Sequence, residues 1–137
     1  MSTIDSIDDI EFGAEVTNSN VDTSLENVSS FAGAVGWNAD RFKDHDRARQ
    51  EGLPGALVPG IMGIGFLAGM IHAWMPTATI VSIDTVFRAP MLADAPLALV
   101  AIVTDINEES RQVELDLTAR NQKEETRLFG TAVVRFP

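Results

Sequence analysis

GLPGALVPGIMGIGFLAGMIHAW, residues Gly52 to Trp74, contains no Asp, Glu, Lys or Arg, and the uncharged run continues to Ile83. About twenty apolar residues are long enough to span a bilayer. The six glycines and two prolines that precede Met70, however, leave little side-chain bulk for a lipid-facing helix. The stretch therefore reads as a Gly/Pro-rich lead-in loop to about Pro59, followed by a helix that is apolar all round. Outside a membrane such a helix can be buried only inside the protein's own core. A buried central helix needs a wrapper, which the rest of the chain must supply.

A chain of 137 residues has room for one ordinary core and not for two, so a single domain over residues 1–137 is expected. There is no cysteine, which excludes disulfides and leaves nothing to mark an oxidising compartment. MSTIDSIDDIEF, at the start, has neither a basic n-region nor an apolar h-region, so no secretory signal and a cytoplasmic location are expected. The net charge of −10 argues against nucleic acid, whose binding depends on neutralising phosphates with Lys and Arg. It argues equally against an anionic membrane surface.

The charge is unevenly placed. Residues 1–40 contain no Lys or Arg, whereas Arg41, Lys43, Arg47 and Arg49 gather four of the ten basic residues. Such an island could receive a polyanionic ligand. Alternatively it is a solvated helix face paired with Asp40, Asp44, Asp46 and Glu51.

Ile10, Phe12, Ala14 and Val16 alternate with Glu11, Gly13, Glu15 and Thr17, the period of a half-buried strand. Thr23 followed by Glu26 fits a capping box, and Leu25, Val28, Ala32 and Val35 recur at helical spacing until Gly36. Residues 39–51 read as a short polar helix or irregular segment, with Pro54 and Gly55 marking a turn before the central helix. Beyond Pro76 the chain turns to strands. Thr79 to Arg88 is rich in β-branched residues, and Leu97 to Ile106 follows a turn around Asp94-Ala95-Pro96. Val113, Leu115, Leu117 and Ala119 alternate with polar residues, and Leu128 to Phe136 forms the last strand. One early strand, a long apolar helix and three or four consecutive antiparallel strands make an α+β domain in which a curved sheet wraps a helix.

Phe87-Arg88-Ala89-Pro90 with Asp94 beyond it, Asn121 in the turn before the last strand, and GLPGALVPG leading into the apolar helix resemble the MaoC-like dehydratases. This hot-dog-fold family includes the (R)-specific enoyl-CoA hydratases. The resemblance runs from about Gly36 to Pro137. It implies a hot-dog fold and a homodimer or a heteromer with another hot-dog subunit; no cofactor and no metal are expected. It also implies an acyl-CoA thioester whose pantetheine arm lies between subunits.

Hydrating an enoyl thioester requires a base to activate water, a proton for the α-carbon and donors for the thioester oxygen. The family uses an Asp, a His five residues later, and an amide N–H at the start of the buried helix, where negative charge is favoured. Gly60 matches that donor. Two registers are open for the pair. Counting back without gaps from Gly60 puts Trp37 and Phe42 at the Asp and His positions, and neither can move a proton. Shortening the loop from His45 to Gly60 by three residues instead restores the spacing with Asp40 and His45. The first register implies a catalytically inactive subunit that binds an acyl thioester or pairs with an active homologue. The second implies a hydratase/dehydratase with Asp40, His45 and Gly60 as catalytic residues and Arg41, Lys43, Arg47 and Arg49 as ligand-binding cations.

Other patterns carry less. Gly63, Gly65 and Ala68 spell GxGxxA, but no buried strand precedes them and no βαβ repeat follows. His72 near the end of the apolar helix reads as a tucked or capping residue. Two distant histidines without cysteine do not suggest zinc.

Overall fold

A computed structural model describes residues 2–137. In chain order the elements are β1 (Glu15–Asn18), α1 (Leu25–Ala34), α2 (His45–Gln50), β2 (Leu57–Val58) and α3 (Gly60–Trp74). They are followed by β3 (Thr79–Phe87), β4 (Met91–Leu92), β5 (Leu97–Asn107), β6 (Gln112–Asn121) and β7 (Thr126–Arg135). Five strands form an antiparallel sheet in the order β1-β5-β6-β7-β3, while β2 and β4 make a small separate ladder. The expected α+β architecture, a sheet packed around the apolar helix, is what forms.

Alternation places the core. On β6, Val113, Leu115, Leu117 and Ala119 are all buried, and their register partners Leu99, Ala101 and Val103 on β5 point the same way. Leu128, Ala132 and Val134 on β7 complete that inner face. It closes on Leu67, Met70, Ile71 and Trp74 of α3, giving one contiguous apolar cluster. The polar residues between them are left on the outer face, as a strand's twofold side-chain period requires. Among the described residues no helix is long and apolar enough to cross a membrane.

Three details differ from the sequence expectation. The early strand begins only at Glu15, because Ile7–Asp9 forms a 3-10 turn and Gly13 adopts φ +83°, so buried Ile10 reaches the core from a turn. The cap of α1 is Ser24, whose hydroxyl accepts from Asn27 N–H at 3.3 Å. Thr23 is buried instead and donates to the Ala95 carbonyl at 2.7 Å. The third concerns α3, which is apolar all round but not buried all round. Ile61, Gly65, Gly69, His72 and Ala73 form an exposed stripe down one side.

Candidate functional site

The N-terminus of α3 is set by the ladder that precedes it. Leu57 and Val58 pair with Leu92 and Met91, bringing Gly60 beside the bend where β3 ends at Phe87 and the chain passes through Arg88-Ala89-Pro90. The bend is pinned from below by the Arg127 carbonyl, which accepts from Arg88 N–H at 2.9 Å and from Ala89 N–H at 3.2 Å. A Cβ on Gly60 would fall 2.5 Å from the Phe87 ring, so a larger residue there requires that ring to move. Pro59 supplies no side-chain cap. The Pro59 carbonyl accepts from Met62 and Gly63 N–H at 3.0 and 3.2 Å, which leaves the amides of Gly60 and Ile61 without an intrahelical acceptor, and the helix dipole favours negative charge there.

In front of Gly60 lies a cavity of about 590 Å³. Its apolar walls include Trp37, Phe42, Ile61, Ile64, Phe87 and Met91, and its one charged lining residue is Arg88. The two residues that the ungapped register sets opposite Gly60 therefore meet it in space. Their rings lie 5.5 Å apart between centroids, with Trp37 41% exposed and Phe42 half-buried. No Asp, Glu, His, Lys, Tyr or Cys lines this cavity among the described residues.

Asp40 and His45 are placed otherwise. The Asp40 carboxylate faces solvent and pairs with Arg47 at 3.6 Å. His45 opens α2, and both of its ring nitrogens are engaged elsewhere. Nδ1 accepts from Ala56 N–H at 2.9 Å, so the proton sits on Nε2, which donates to Asp94 Oδ2 at 2.7 Å. Asp94 also accepts from Leu25 N–H at 2.9 Å. The hydrogen bond from His45, followed by that from Leu25, holds the Asp94 carboxyl below the ordinary carboxylate range. His45 is thus a tie between α2, the Ala56 segment and the Asp94 turn, and the structure does not join it to Asp40 or set it beside Gly60. His72 is exposed on the last turn of α3.

The basic island takes the mixed-charge arrangement. Arg41 pairs with Glu51 at 3.4 Å, Arg47 with Asp40 at 3.6 Å and Arg49 with Asp46 at 3.2 Å, while Lys43 bonds the Asn38 side-chain oxygen at 3.2 Å. Sequence reading assigned no pocket role to Phe87, Arg88 or Met91, although Phe87-Arg88-Ala89-Pro90 was itself conspicuous. A strand interrupted by Ala-Pro beside an exposed aromatic was the available signal.

A five-stranded antiparallel sheet closed on one apolar helix is the hot-dog fold, and comparison with solved structures agrees. The chain is similar to the (R)-hydratase from A. caviae involved in PHA biosynthesis, at 18% identity and a TM-score of 0.87 over 94% of this chain and 98% of that one. It is likewise similar to the MaoC-like dehydratase from Rhodospirillum rubrum, at 16% identity and a TM-score of 0.77 over 94% of each chain. A third similarity is to a chain of the ChsH1-ChsH2 complex from Mycobacterium tuberculosis, at 21% identity and a TM-score of 0.79 over 93% and 98%. No protein-family model and no curated protein sequence matches the chain. The resemblance read from the sequence is borne out at the level of fold.

Proposed function

We propose that this chain is a hot-dog subunit of the hydratase/dehydratase type that binds an acyl thioester in front of Gly60 and does not itself carry the proton-transfer pair. The observation behind this reading is the lining of the Gly60 cavity. A developing oxyanion is served there by a helix N-terminus with Arg88 nearby, an arrangement that stabilises charge on a thioester oxygen. Neither Trp37 nor Phe42 can take a proton from water, since an indole N–H only donates and a phenyl ring does neither. The aromatic walls suit an acyl chain.

Any acid-base chemistry then comes from a second subunit, either an active homologue or another hot-dog chain. Two surfaces fit such a partner. Among the described residues the β3 edge of the sheet has no neighbouring strand and the α3 stripe from Ile61 to Ala73 is exposed. Unpaired edges of this length are normally paired or shielded.

The test is crotonyl-CoA hydration by the purified chain, followed by loss of the enoyl absorbance, together with acyl-CoA binding followed by thermal shift. Binding without hydration is expected, because a ligand that binds only the native state raises its melting temperature. Robust hydration by the pure chain would sink the non-catalytic assignment. Absence of any thermal shift would sink the acyl-thioester reading.

A further inference from the structure

Residues 38–50, which carry Phe42 into the wall of the Gly60 cavity, are lightly fixed. Ala48 is the one fully buried side chain among them, with Phe42, Lys43 and His45 half-buried. The segment is hinged at its start, where Trp37 N–H donates to the Ala32 carbonyl at 2.8 Å. Its own ion pairs stay local. Arg41 pairs with Glu51, Arg47 with Asp40 and Arg49 with Asp46, Lys43 bonds Asn38, and the backbone bonds end within residues 36–53. Among the described residues, only the His45 ring bonds outside that span. It does so twice, accepting from Ala56 N–H at 2.9 Å and donating to Asp94 at 2.7 Å.

These two bonds join the three stretches that line the cavity. His45 follows Trp37 and Phe42, Ala56 precedes Leu57, Val58 and Gly60, and Asp94 follows Phe87 to Met91. The ring can serve both partners in one protonation state only. A neutral imidazole offers one acceptor and one donor, whereas an imidazolium offers two donors. A protonated Nδ1 would turn its N–H toward that of Ala56, while Nε2 would keep its carboxylate in a charge-assisted bond. Asp94 stays ionised meanwhile, since the hydrogen bonds from His45 and then Leu25 hold its carboxyl below the ordinary range. The other charges around the ring are committed. Asp44 caps its own helix by accepting from Arg47 N–H at 2.8 Å, and Asp46 holds Arg49. Arg49 and the His45 ring both border Gly55, so the guanidinium opposes a second cation there. From α1 the neighbouring acid is Glu26, one residue beyond Leu25.

We propose that residues 38–50 form a flap on the Gly60 cavity and that His45 is its proton-sensitive staple: the neutral ring holds the flap shut, and protonation breaks the Ala56 bond, so that the flap turns about the Asp94 contact and lifts Phe42 off Trp37. The Asp94 contact is common to the shut and open states, and the Ala56 bond belongs to the shut state alone. The open state therefore binds the proton more tightly, and acidification shifts the population toward it. Neither Trp37 nor Phe42 reacts, so the proton governs access to the cavity and no chemical step. As regulation of the thioester site the flap rests on the reading above; as a motion of the free chain it stands without any ligand.

The full chain, labelled for NMR and titrated without ligand from about pH 8 to about pH 5, spans the range in which histidine changes charge. Three signals are followed: the His45 ring nitrogens, the exchange protection of the Ala56 amide, and collisional quenching of Trp37, which is 41% exposed where Trp74 is 5%. Ala56 protection, corrected for the intrinsic pH dependence of exchange, should fall by about tenfold, the loss of roughly one hydrogen bond. Trp37 quenching should rise with the same midpoint as the ring. His45→Asn keeps an acceptor toward Ala56 and cannot be protonated, so it should hold Trp37 in its neutral-pH state throughout. His72→Gln should leave the wild-type titration unchanged. A ring that titrates while Ala56 stays protected overturns the proposal, as does a ring that does not titrate in this range. Loss of Ala56 protection with Trp37 unmoved overturns it too, because the wall would then not depend on the staple. A Trp37 transition that persists in His45→Asn assigns the switch to another group and has the same force. The wild-type signals decide the matter by themselves if His45→Asn does not fold. Failure of acyl-thioester binding would remove the thioester reading and leave this titration as it is.

Discussion

His45 joins segments that lie far apart in sequence. It closes a path from Ala56 N–H through the imidazole to Asp94 and on to Leu25 N–H. Removing the ring leaves the amide of the fully buried Ala56 without its acceptor, which costs about 1–3 kcal/mol. His45→Ala should therefore lower the urea midpoint measurably and leave any hydration rate of a reconstituted assembly unchanged. A large fall in rate at constant stability would return His45 to the acid-base role. Asp94 supplies the pH dependence. Its carboxyl is held below the ordinary range, so the stability it contributes is fully present above that range and is lost as pH falls through its lowered value. Asp94→Asn should accordingly differ most from wild type at neutral pH and converge on it as pH falls below the ordinary carboxylate range, as read by urea unfolding across that range.

At the scale of elements, glycine decides what may touch what. Gly130 on β7 sits where a Cβ would fall 1.9 Å from the Asp84 carbonyl of the paired strand β3. No rotamer change relieves a clash with backbone, so Gly130→Ala should cost about 3 kcal/mol or more and loosen β3 selectively. Hydrogen exchange resolved along β3 measures that. Gly69 is the opposite case, since a methyl there meets nothing within 4 Å. Gly69→Ala should stabilise the isolated chain by about 1 kcal/mol through helix propensity. If a partner subunit packs closely on the α3 stripe, the same change should weaken assembly in light scattering.

For the whole molecule, the unpaired β3 edge carries Val81, Val86 and Phe87, each 46–55% exposed, and Ile61 adds a further apolar side chain at 48%. An edge of nine residues with so much apolar surface is a pairing site. The chain should therefore elute as a dimer or heteromer at micromolar concentration. A single-chain mass by light scattering, with no co-purifying hot-dog partner, would contradict this. On the acidic surface, the arginines around α2 are spent on neighbouring carboxylates.

The central helix and the strands around it were legible in the chain, because burial imposes a local period. An uncharged run has to be covered, and Val113, Leu115, Leu117 and Ala119 can share a face only as a strand. The identity of Gly60 as the helix start was legible for the same reason. Which side chains face Gly60 was not, since Trp37 and Phe42 reach it across a loop whose path depends on packing, and two registers satisfied the sequence equally in kind. His45 finds its partner 49 residues away at Asp94, and no spacing rule reaches that far. The pairing of each arginine around α2 likewise depends on distances through space. Periodicity along the chain determined the layers of this protein, and only the tertiary structure decided which residues stand at the mouth of its cavity.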